Sequence, residues 1–205
     1  MKKIAIIDYG SGNQMSLINI FKHLNIDAVL TKNKNKIKDS SHIFIPGVGA
    51  YNILVEKFKN LNCFGTIEAE MKNGKPIMGV CVGMQIFSDF GEENVKTKGL
   101  GWIPGHVSKL KCKKKRLPHV GWNNINILNK DKIFNNFEGI PDYYFVHSYG
   151  FISKNKKNIL ATASYDQNND ITAIVKKNNV IGVQFHPEKS QLYGKLLIKN
   201  FINYY

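Results

Sequence analysis

Hydrophobic and polar positions in the first half of the chain follow two alternating patterns. Short apolar runs typical of buried strands are followed by segments whose apolar residues recur at helical spacing. Glycine and proline clusters separate these segments, and Gly10-Ser11-Gly12 is the first such break. The alternation predicts a parallel sheet with crossover helices. The predicted strands are 3–8, 27–31, 42–45 and 77–80, and the predicted helices are 15–24, 51–59 and 65–72.

The pattern changes near Gly99, after which short strand-like segments follow one another with few helical ones. Such a succession predicts a second half in which parallel and antiparallel pairing are mixed. The order of these strands does not follow from the sequence. The predicted strands are 107–111, 121–127, 143–146, 159–164, 171–176 and 180–185.

Length and composition indicate an ordinary globular chain. The 205 residues, of which 43% are hydrophobic, are enough for one full core and few for two. With neither a repeat nor a linker, residues 1–205 are predicted to form a single domain. Its C-terminal segment is predicted to be a helix that packs on the sheet through Leu192, Leu196, Leu197 and Phe201.

Two further features restrict the class of protein. The longest apolar runs are far below the ~18 to 20 residues that a membrane span needs, so we expect a cytoplasmic protein with no membrane partner. Cys63, Cys81 and Cys112 are odd in number and lack CxxC spacing. This argues against both a disulfide framework and a thiolate zinc site.

The net charge of +14 raises the possibility of a nucleic-acid partner. Arg116 is the only arginine, and the lysines are spread along the chain. Because arginine performs most bidentate recognition of bases and phosphates, its scarcity argues against nucleic acid. The densest run, "KLKCKKKR" at 109–116, is interpreted as a solvated loop or hairpin end, with a phosphate-binding stripe as the alternative.

The segment Gly79-Val80-Cys81-Val82-Gly83 has the form of a nucleophile elbow. In such a turn the glycines let a strand and the following helix approach each other without Cβ atoms. The helix N-terminus favours a thiolate, and the backbone N–H of Val82 is available to an oxyanion. The alternative is a buried cysteine that acts as a small hydrophobic residue.

A base for this nucleophile is predicted after the last strand, at Gln184-Phe185-His186-Pro187-Glu188. In an extended chain His186 and Glu188 point to the same side, and Pro187 favours that conformation. A carboxylate on one imidazole nitrogen fixes the tautomer and leaves the other nitrogen for a thiol. Cys81, His186 and Glu188 thus have the residue types of a catalytic triad.

The remaining histidines give no sign of a metal site. His23 and His42 are expected at the surface or at the ends of elements. His106, His119 and His147 are separate in the sequence and lack HxH or HxxxH spacing. No metal is therefore predicted.

The motifs "GVCVGMQ" (79–85) and "QFHPEKS" (184–190) resemble those of the class I glutamine amidotransferases. Four further segments are similar to the glutaminase subunit family of imidazole glycerol phosphate synthase, an enzyme of histidine biosynthesis. The resemblance extends in order along nearly the whole chain. Those segments are "IDYGSGN" (7–13), "PGVGAY" (46–51), "HVGWN" (119–123) and "YYFVHSY" (143–149).

The resemblance implies a flavodoxin-like α/β fold with a central, mostly parallel sheet, flanking helices and an antiparallel C-terminal portion. It implies that Cys81 is the nucleophile, His186 the general acid and base, and Glu188 the residue that orients His186. Backbone N–H groups of Val48 and Val82 would form the oxyanion hole. Glutamine would be held near Gly47, Gly49, Gln85, His147, Ser148 and Tyr149. For the side chains of His147 and Tyr149, packing under the loop is the alternative.

The resemblance also implies a heterodimer with a (β/α)8-barrel cyclase, which uses the ammonia to make imidazole glycerol phosphate and AICAR. The substrate would be L-glutamine, with no cofactor and no nucleic acid. Residues matching the partner face are Asn13, Trp122, Tyr144 and Lys189. Three alternatives remain: a related barrel that amidinates a sugar, a basic nucleic-acid-binding protein, and an inactive regulator of the same fold.

Overall fold

The computed structural model describes residues 2–10, 14–113, 115–166 and 169–205. The predicted first turn at Ser11 and Gly12 lies outside the described residues, as do Asn13 and Lys114. Within these ranges the longest helix has 14 residues. Among the described residues, none of the helices combines the length and hydropathy that a membrane crossing requires.

Helices and strands alternate along the first half of the chain, and strands dominate the second. The helices are α1 (Gln14–His23), α2 (Lys34–Asp39), α3 (Tyr51–Lys59), α4 (Phe64–Lys72), α5 (Val82–Gln85) and α6 (Gln191–Tyr204), with 3-10 turns at Lys132–Phe134, Lys156–Asn158 and Pro187–Lys189. The strands are β1 (Lys3–Ile7), β2 (Asp27–Thr31), β3 (His42–Ile45), β4 (Ile77–Val80), β5 (Phe90–Gly91), β6 (Thr97–Lys98), β7 (Gly105–Lys109), β8 (His119–Asn124), β9 (Asn126–Ile127), β10 (Asp142–His147), β11 (Tyr149–Ser153), β12 (Ile159–Asp166), β13 (Asn169–Lys177) and β14 (Val180–Val183).

The main sheet has eight strands in the order β2-β1-β3-β4-β14-β13-β12-β9. The first five pair in parallel, and the last three join by antiparallel pairing. Every residue of β3, β4 and β14 is buried, which explains why their sequences are almost continuously apolar. Two smaller sheets contain β10 with β8, and β11 with β7, β5 and β6.

The carboxyl edge of the sheet is the end at which the parallel strands β1, β3, β4 and β14 finish. At this edge Val80 of β4 pairs with Val183 of β14. The N–H of Cys81 donates to the Val183 carbonyl at 2.8 Å, so the chain stays next to β14 as it leaves β4. The register therefore places the residues that follow these two strands side by side.

The last turns of the C-terminal helix reach the amino edge, at which the same strands begin. His42 opens β3, and its ring centroid lies 5.2 Å from that of Phe201 in α6. Lys2 donates to the Ile202 carbonyl, and Asn200 donates to carbonyls of the 132–135 turn. His42 is an element-end residue, as predicted, but it is buried rather than exposed.

Several boundaries differ from the sequence-based predictions. The predicted strand at 180–185 ends at Val183, and the predicted strand at 121–127 is divided between β8 and β9. Leu192 was predicted to pack on the sheet, but it is 64% exposed because it lies in the first turn of α6, whose buried face begins at Gly194.

Helix α2 and strand β11 were not predicted. The Asn33 side chain caps α2 by accepting from the N–H groups of Asn35 and Lys36, but the helix buries only Ile37. One apolar contact in six residues gives too weak a periodic signal to be recognised. Strand β11 pairs with β7 over 149–153, and nothing local in the sequence specifies that pairing.

Candidate active site

Cys81 occupies a strained backbone conformation between β4 and α5, with φ 54° and ψ −114°. A positive φ in a residue other than glycine costs of order 1–3 kcal/mol and persists only when its surroundings hold it. The sulfur lies 3.7 Å from Gln184 Nε2 and 4.0 Å from the Val146 carbonyl oxygen. The turn thus directs Cys81 toward β10 and the end of β14.

The two glycines of the motif have no room for a Cβ atom. An ideal Cβ at Gly79 would lie 2.5 Å from the Gly83 oxygen, and one at Gly83 would lie 2.0 Å from the Ile45 oxygen. Both contacts are with backbone, which has little freedom to move. The glycines are therefore required by the close approach of β4, α5 and the end of β3.

A second loop, at 46–49, packs directly on this turn. A Cβ at Gly47 would lie 2.1 Å from the Gly83 nitrogen, while Gly49 has φ +92°, a conformation that glycine favours. The Tyr9 hydroxyl donates to the Pro46 carbonyl and ties the loop to the residues after β1. The loop therefore lies against the backbone of Val82 and Gly83, and Val48 and Val82 both line the cavity described below.

His186 and Glu188 form a buried pair in which the imidazole Nδ1 lies 2.7 Å from the carboxylate. The predicted pairing is therefore present, although the predicted extended backbone is wrong. The strand ends at Val183, and Pro187–Lys189 form a 3-10 turn with proline at its first position. That position suits proline, which has a fixed φ and no N–H to satisfy.

The neighbours of His186 favour its charged form. Burial by itself lowers the pKa of His186, but hydrogen bonds to Cys81 and Glu188 and the negative charge of both residues outweigh it. Together they raise the pKa to about 10. The raised pKa keeps a proton on the His186 ring at neutral pH, as a residue that must donate one requires.

The backbone of His186 is held by β10 and by Ser190. Its N–H donates to the Tyr144 carbonyl at 2.9 Å, and the Ser190 hydroxyl donates to the His186 carbonyl at 2.6 Å. The same hydroxyl accepts from the Tyr144 N–H at 3.0 Å. The position of His186 therefore depends on strand β10, which carries Tyr144.

A cavity of about 200 Å³ lies between these segments and collects most of the predicted site residues. Its lining also includes Glu93, whose carboxylate accepts from the Tyr51 N–H at 2.7 Å, at the start of α3. Glu93 was not predicted, because nothing local in the sequence links it to the nucleophile. The predicted residues in the lining are Val48, Gly49, Cys81, Val82, Gln85, His147, Ser148, Tyr149 and His186. Gly47 and Glu188 lie behind it, in contact with Val82 and His186 respectively.

The amide of Gln85 is held by two acceptors on the wall of the cavity. Its Nε2 donates to the Tyr149 carbonyl at 2.8 Å and to Gln184 Oε1 at 3.0 Å. Both N–H groups are thereby used, and the amide oxygen remains for other partners. Gln184 was not predicted as a site residue, although a polar side chain in the otherwise apolar run 180–185 was a usable signal.

His119 and His147, which lie far apart in the sequence, are in direct contact. His119 Nδ1 lies 3.1 Å from His147 Nε2, and His147 Nδ1 lies 2.8 Å from the Tyr149 carbonyl. Burial lowers the pKa of His147 to about 4, and burial together with His147 lowers that of His119 to about 3. Both rings are therefore neutral, with Nδ1–H donating in each. Strand pairing between β8 and β10, with His147 opposite His119, produces this contact.

No group of three or more histidine, cysteine, aspartate or glutamate residues in the described ranges is arranged to hold a metal ion. The run at 109–116 leaves β7 after Lys109 and continues as a loop through its described residues. There Lys115 lies over the Tyr165 ring at 4.9 Å. The loop was the favoured interpretation of this run.

Three residues predicted to face a partner lie together on the outer surface of β8 and β10. Trp122 is 46% exposed, and its ring centroid lies 6.3 Å from that of Tyr144, while Lys189 Nζ lies 5.5 Å from the Tyr144 ring. The neighbouring cross-strand pair, Val120 and Val146, is also exposed. These five residues form what we term the aromatic patch. Asn13, the fourth predicted residue, lies outside the described residues.

Comparison of the sequence and the fold with those of known proteins identifies the class of protein. The family model for glutamine amidotransferase class-I matches residues 5–204. A solved structure described as a glutamine amidotransferase superposes with a TM-score of 0.74, covering 97% of this chain and 96% of its own. At 15% identity that likeness concerns the fold alone, and it confirms the predicted α/β architecture.

Curated relatives narrow the class. The imidazole glycerol phosphate synthase subunit HisH of Pelagibacter ubique is 44% identical, covering 98% of this chain and 99% of the relative. Subunit HisH 2 of Methanococcus maripaludis is 39% identical, covering 97% and 98%. The chain therefore belongs to the class I glutamine amidotransferases and, within them, to the family of imidazole glycerol phosphate synthase subunits HisH.

Proposed function

We propose that this protein is a glutaminase subunit that hydrolyses the side-chain amide of L-glutamine and passes the ammonia to a partner enzyme in histidine biosynthesis. One observation carries the proposal. Cys81 and His186 follow adjacent parallel strands, β4 and β14, and line one cavity, with Glu188 held 2.7 Å from His186. Family membership supports the same activity.

The proposed reaction begins when the Cys81 thiolate attacks the amide carbon of glutamine. The carbonyl electrons move onto oxygen, and the N–H groups of Val48 and Val82 stabilise that oxyanion. His186 gives its proton to the leaving nitrogen, the C–N bond breaks and ammonia departs. Water, deprotonated by His186, then opens the γ-glutamyl thioester and releases glutamate and the thiolate. Glu188 keeps His186 oriented through both steps.

The cavity lining suits the ends of a glutamine molecule. The oxygen of Gln85 is available to accept from an N–H group, and backbone of Gly49 and Ser148 lines the same space. We assign Glu93 to the ammonium group of the substrate, since a carboxylate in the lining complements that charge. His147 stabilises the wall of the cavity through its hydrogen bond to the Tyr149 carbonyl, which favours a packing role for its side chain.

The aromatic patch is the proposed docking surface for the barrel-shaped cyclase that makes imidazole glycerol phosphate and AICAR. Tyr144 belongs to the patch, and its backbone holds His186. Val146 belongs to it as well, and its carbonyl lies 4.0 Å from the Cys81 sulfur. A partner on this surface would therefore lie next to the place where ammonia forms. Free ammonia is protonated and diluted in water, so a short path between active sites is an advantage.

The test of the proposed chemistry is ammonia release by a Cys81→Ala variant, assayed with the partner and its ligand present. We expect activity to fall by roughly 10⁴-fold or more, because no other group supplies the nucleophile. Cys112→Ala is the matched control, since Cys112 lies outside the cavity lining and should leave activity unchanged. Near-normal ammonia release by Cys81→Ala would contradict the proposal.

The pathway is tested separately by complementation. A histidine auxotroph that lacks this subunit should grow without histidine when it carries this gene, and should not grow with the Cys81→Ala gene. The names of the curated relatives favour this pathway over one that amidinates a sugar. Absence of growth with well-expressed parent protein, together with normal glutaminase activity in vitro, would indicate a different acceptor.

A further inference from the structure

Gln184 is a fully buried polar residue that joins the nucleophile to the substrate cavity. It has no exposed surface and directly follows β14, where its own N–H donates to the Ala173 carbonyl. Its side-chain oxygen accepts from Gln85, and its Nε2 lies 3.7 Å from the Cys81 sulfur. The predicted triad leaves this residue unexplained, although a buried amide is costly unless it is hydrogen-bonded.

The orientation of the Gln184 amide follows from a neighbour that cannot donate. The Tyr149 carbonyl only accepts, so the amide of Gln85, 2.8 Å away, must turn its nitrogen toward it. The second N–H of that nitrogen then meets the Gln184 oxygen. Gln184 must in turn direct its own nitrogen toward Cys81. The Tyr149 carbonyl thus fixes the orientation of the Gln85 amide and, through it, that of the Gln184 amide. The result is an N–H donor directed at the Cys81 sulfur.

The two contacts of the Cys81 sulfur with Gln184 and Val146 favour different forms of the residue. The Val146 carbonyl, at 4.0 Å, is an acceptor and suits a thiol S–H. The Gln184 amide, at 3.7 Å, is a donor and suits a thiolate. Hydrogen bonds to charged groups are the stronger kind, so the donor contributes most when the sulfur is ionised. Two titratable groups that interact electrostatically with Cys81 are His186 and Tyr9.

We propose that Gln184 is a further catalytic residue, whose side-chain N–H holds the Cys81 sulfur in its thiolate form and in position to attack. The proposal rests on the proposed function, because it assumes that Cys81 is the nucleophile. It deepens that function by adding a neutral donor that remains in place when His186 gives up its proton to the leaving nitrogen. The thiolate released at the end of the cycle then has a partner.

The test measures the rate at which iodoacetamide alkylates Cys81 in the full chain between pH 5 and 10. Peptide mass spectrometry separates Cys81 from Cys63 and Cys112. In Gln184→Met, which keeps much of the shape and has no donor, we expect the midpoint of the profile to rise by about one pH unit. At pH values well below the midpoint of the parent, the rate should fall about tenfold, equivalent to about 1.4 kcal/mol, while the plateau at high pH is retained.

If Gln184→Met does not fold, Gln184→Glu provides a second test of the same contact, and Gln14→Met is the control. Gln184→Glu retains an acceptor for Gln85 but places a carboxylate at the sulfur, so its midpoint should rise at least as far. Gln14→Met removes another buried glutamine, bonded to the Ile7 carbonyl at 3.4 Å, and should leave the profile unchanged. An unchanged midpoint in a folded Gln184 variant would overturn the proposal. If Cys81 in the parent reacts no faster than Cys112, the nucleophile assignment itself is wrong.

Discussion

His186 and His42 are both buried at an end of the same parallel sheet, yet they have opposite charge preferences. His186, at the carboxyl edge, has its pKa raised to about 10. His42, at the amino edge, has its pKa lowered to about 4. The exposed fractions are 2% and 1%, so burial does not distinguish the two residues.

The difference comes from the charges nearby. Burial lowers the pKa of both rings, but at His186 the partners Cys81 and Glu188 reverse the effect. At His42 the cations Lys2 and Lys75 add to it. A buried histidine is therefore suited to proton transfer only where the surrounding charge compensates for lost hydration. Negatively charged partners surround His186 at the carboxyl edge, whereas positively charged lysines lie near His42 at the amino edge.

Of the changes that test this comparison, the largest effect is expected when the negative charge near His186 is removed. Glu188→Gln should lower kcat/KM for glutamine hydrolysis by roughly 10²- to 10⁴-fold, because His186 loses the carboxylate that orients it and raises its pKa. Ammonia release in the assembled complex, followed across pH, measures the change. Asp131→Asn is the control, since it removes a half-buried carboxylate that pairs with Lys176. Normal turnover in Glu188→Gln would mean that the pair is structural only.

A smaller effect tests how the carboxyl edge is packed. Gly83→Ala should lower the free energy of unfolding by about 3 kcal/mol, since the new Cβ would meet the Ile45 oxygen at 2.0 Å. Gly65→Ala in α4 is the matched control, because nothing lies within 4 Å of its Cβ position. The control should be neutral or slightly stabilising. Urea denaturation of both variants measures the difference, and equal stability would contradict the close packing.

The smallest predicted effect concerns acid and the amino edge. Folded His42 binds its proton less readily than the unfolded chain does, so its contribution to stability is complete above pH 6.5. That contribution is lost as the pH falls toward about 4, with a slope of at most about 1.4 kcal/mol per pH unit. The parent should have a lower free energy of unfolding at pH 5 than at pH 7, and His42→Phe should make this difference smaller. An equal acid dependence in parent and variant would show that His42 does not titrate on unfolding.

Much of the carboxyl edge was predictable because its chemistry is local in the sequence. Gly79 and Gly83 flank Cys81 at the spacing of a nucleophile elbow, and His186 and Glu188 lie two positions apart. The parallel strands β1 to β4 are short and apolar, and segments with helical periodicity lie between most of them. Their bounds were therefore predicted almost residue by residue. The pairing of His186 with Glu188 was predicted even though the backbone between them was not.

What was missed depends on contacts between residues distant in the sequence. Glu93 reaches the cavity because it meets the start of α3, and Gln184 matters because Gln85 and Cys81 converge on it. The contact between His119 and His147 requires the pairing of β8 with β10. Strand pairing in the second half is the least local property of the fold, which explains why the contact between these two histidines was not recognised.

The contact between His119 and His147 also makes the wall of the cavity observable without a substrate. The Tyr149 carbonyl accepts from His147 Nδ1–H, and His147 Nε2 then accepts from His119 Nδ1–H. Both imidazoles should therefore give the nitrogen resonances of Nδ1-protonated rings throughout the neutral pH range. His119 belongs to the strand that carries Trp122. Nitrogen NMR of these two rings would therefore show whether binding at the outer surface changes the structure of the cavity wall, before any bond in glutamine is broken.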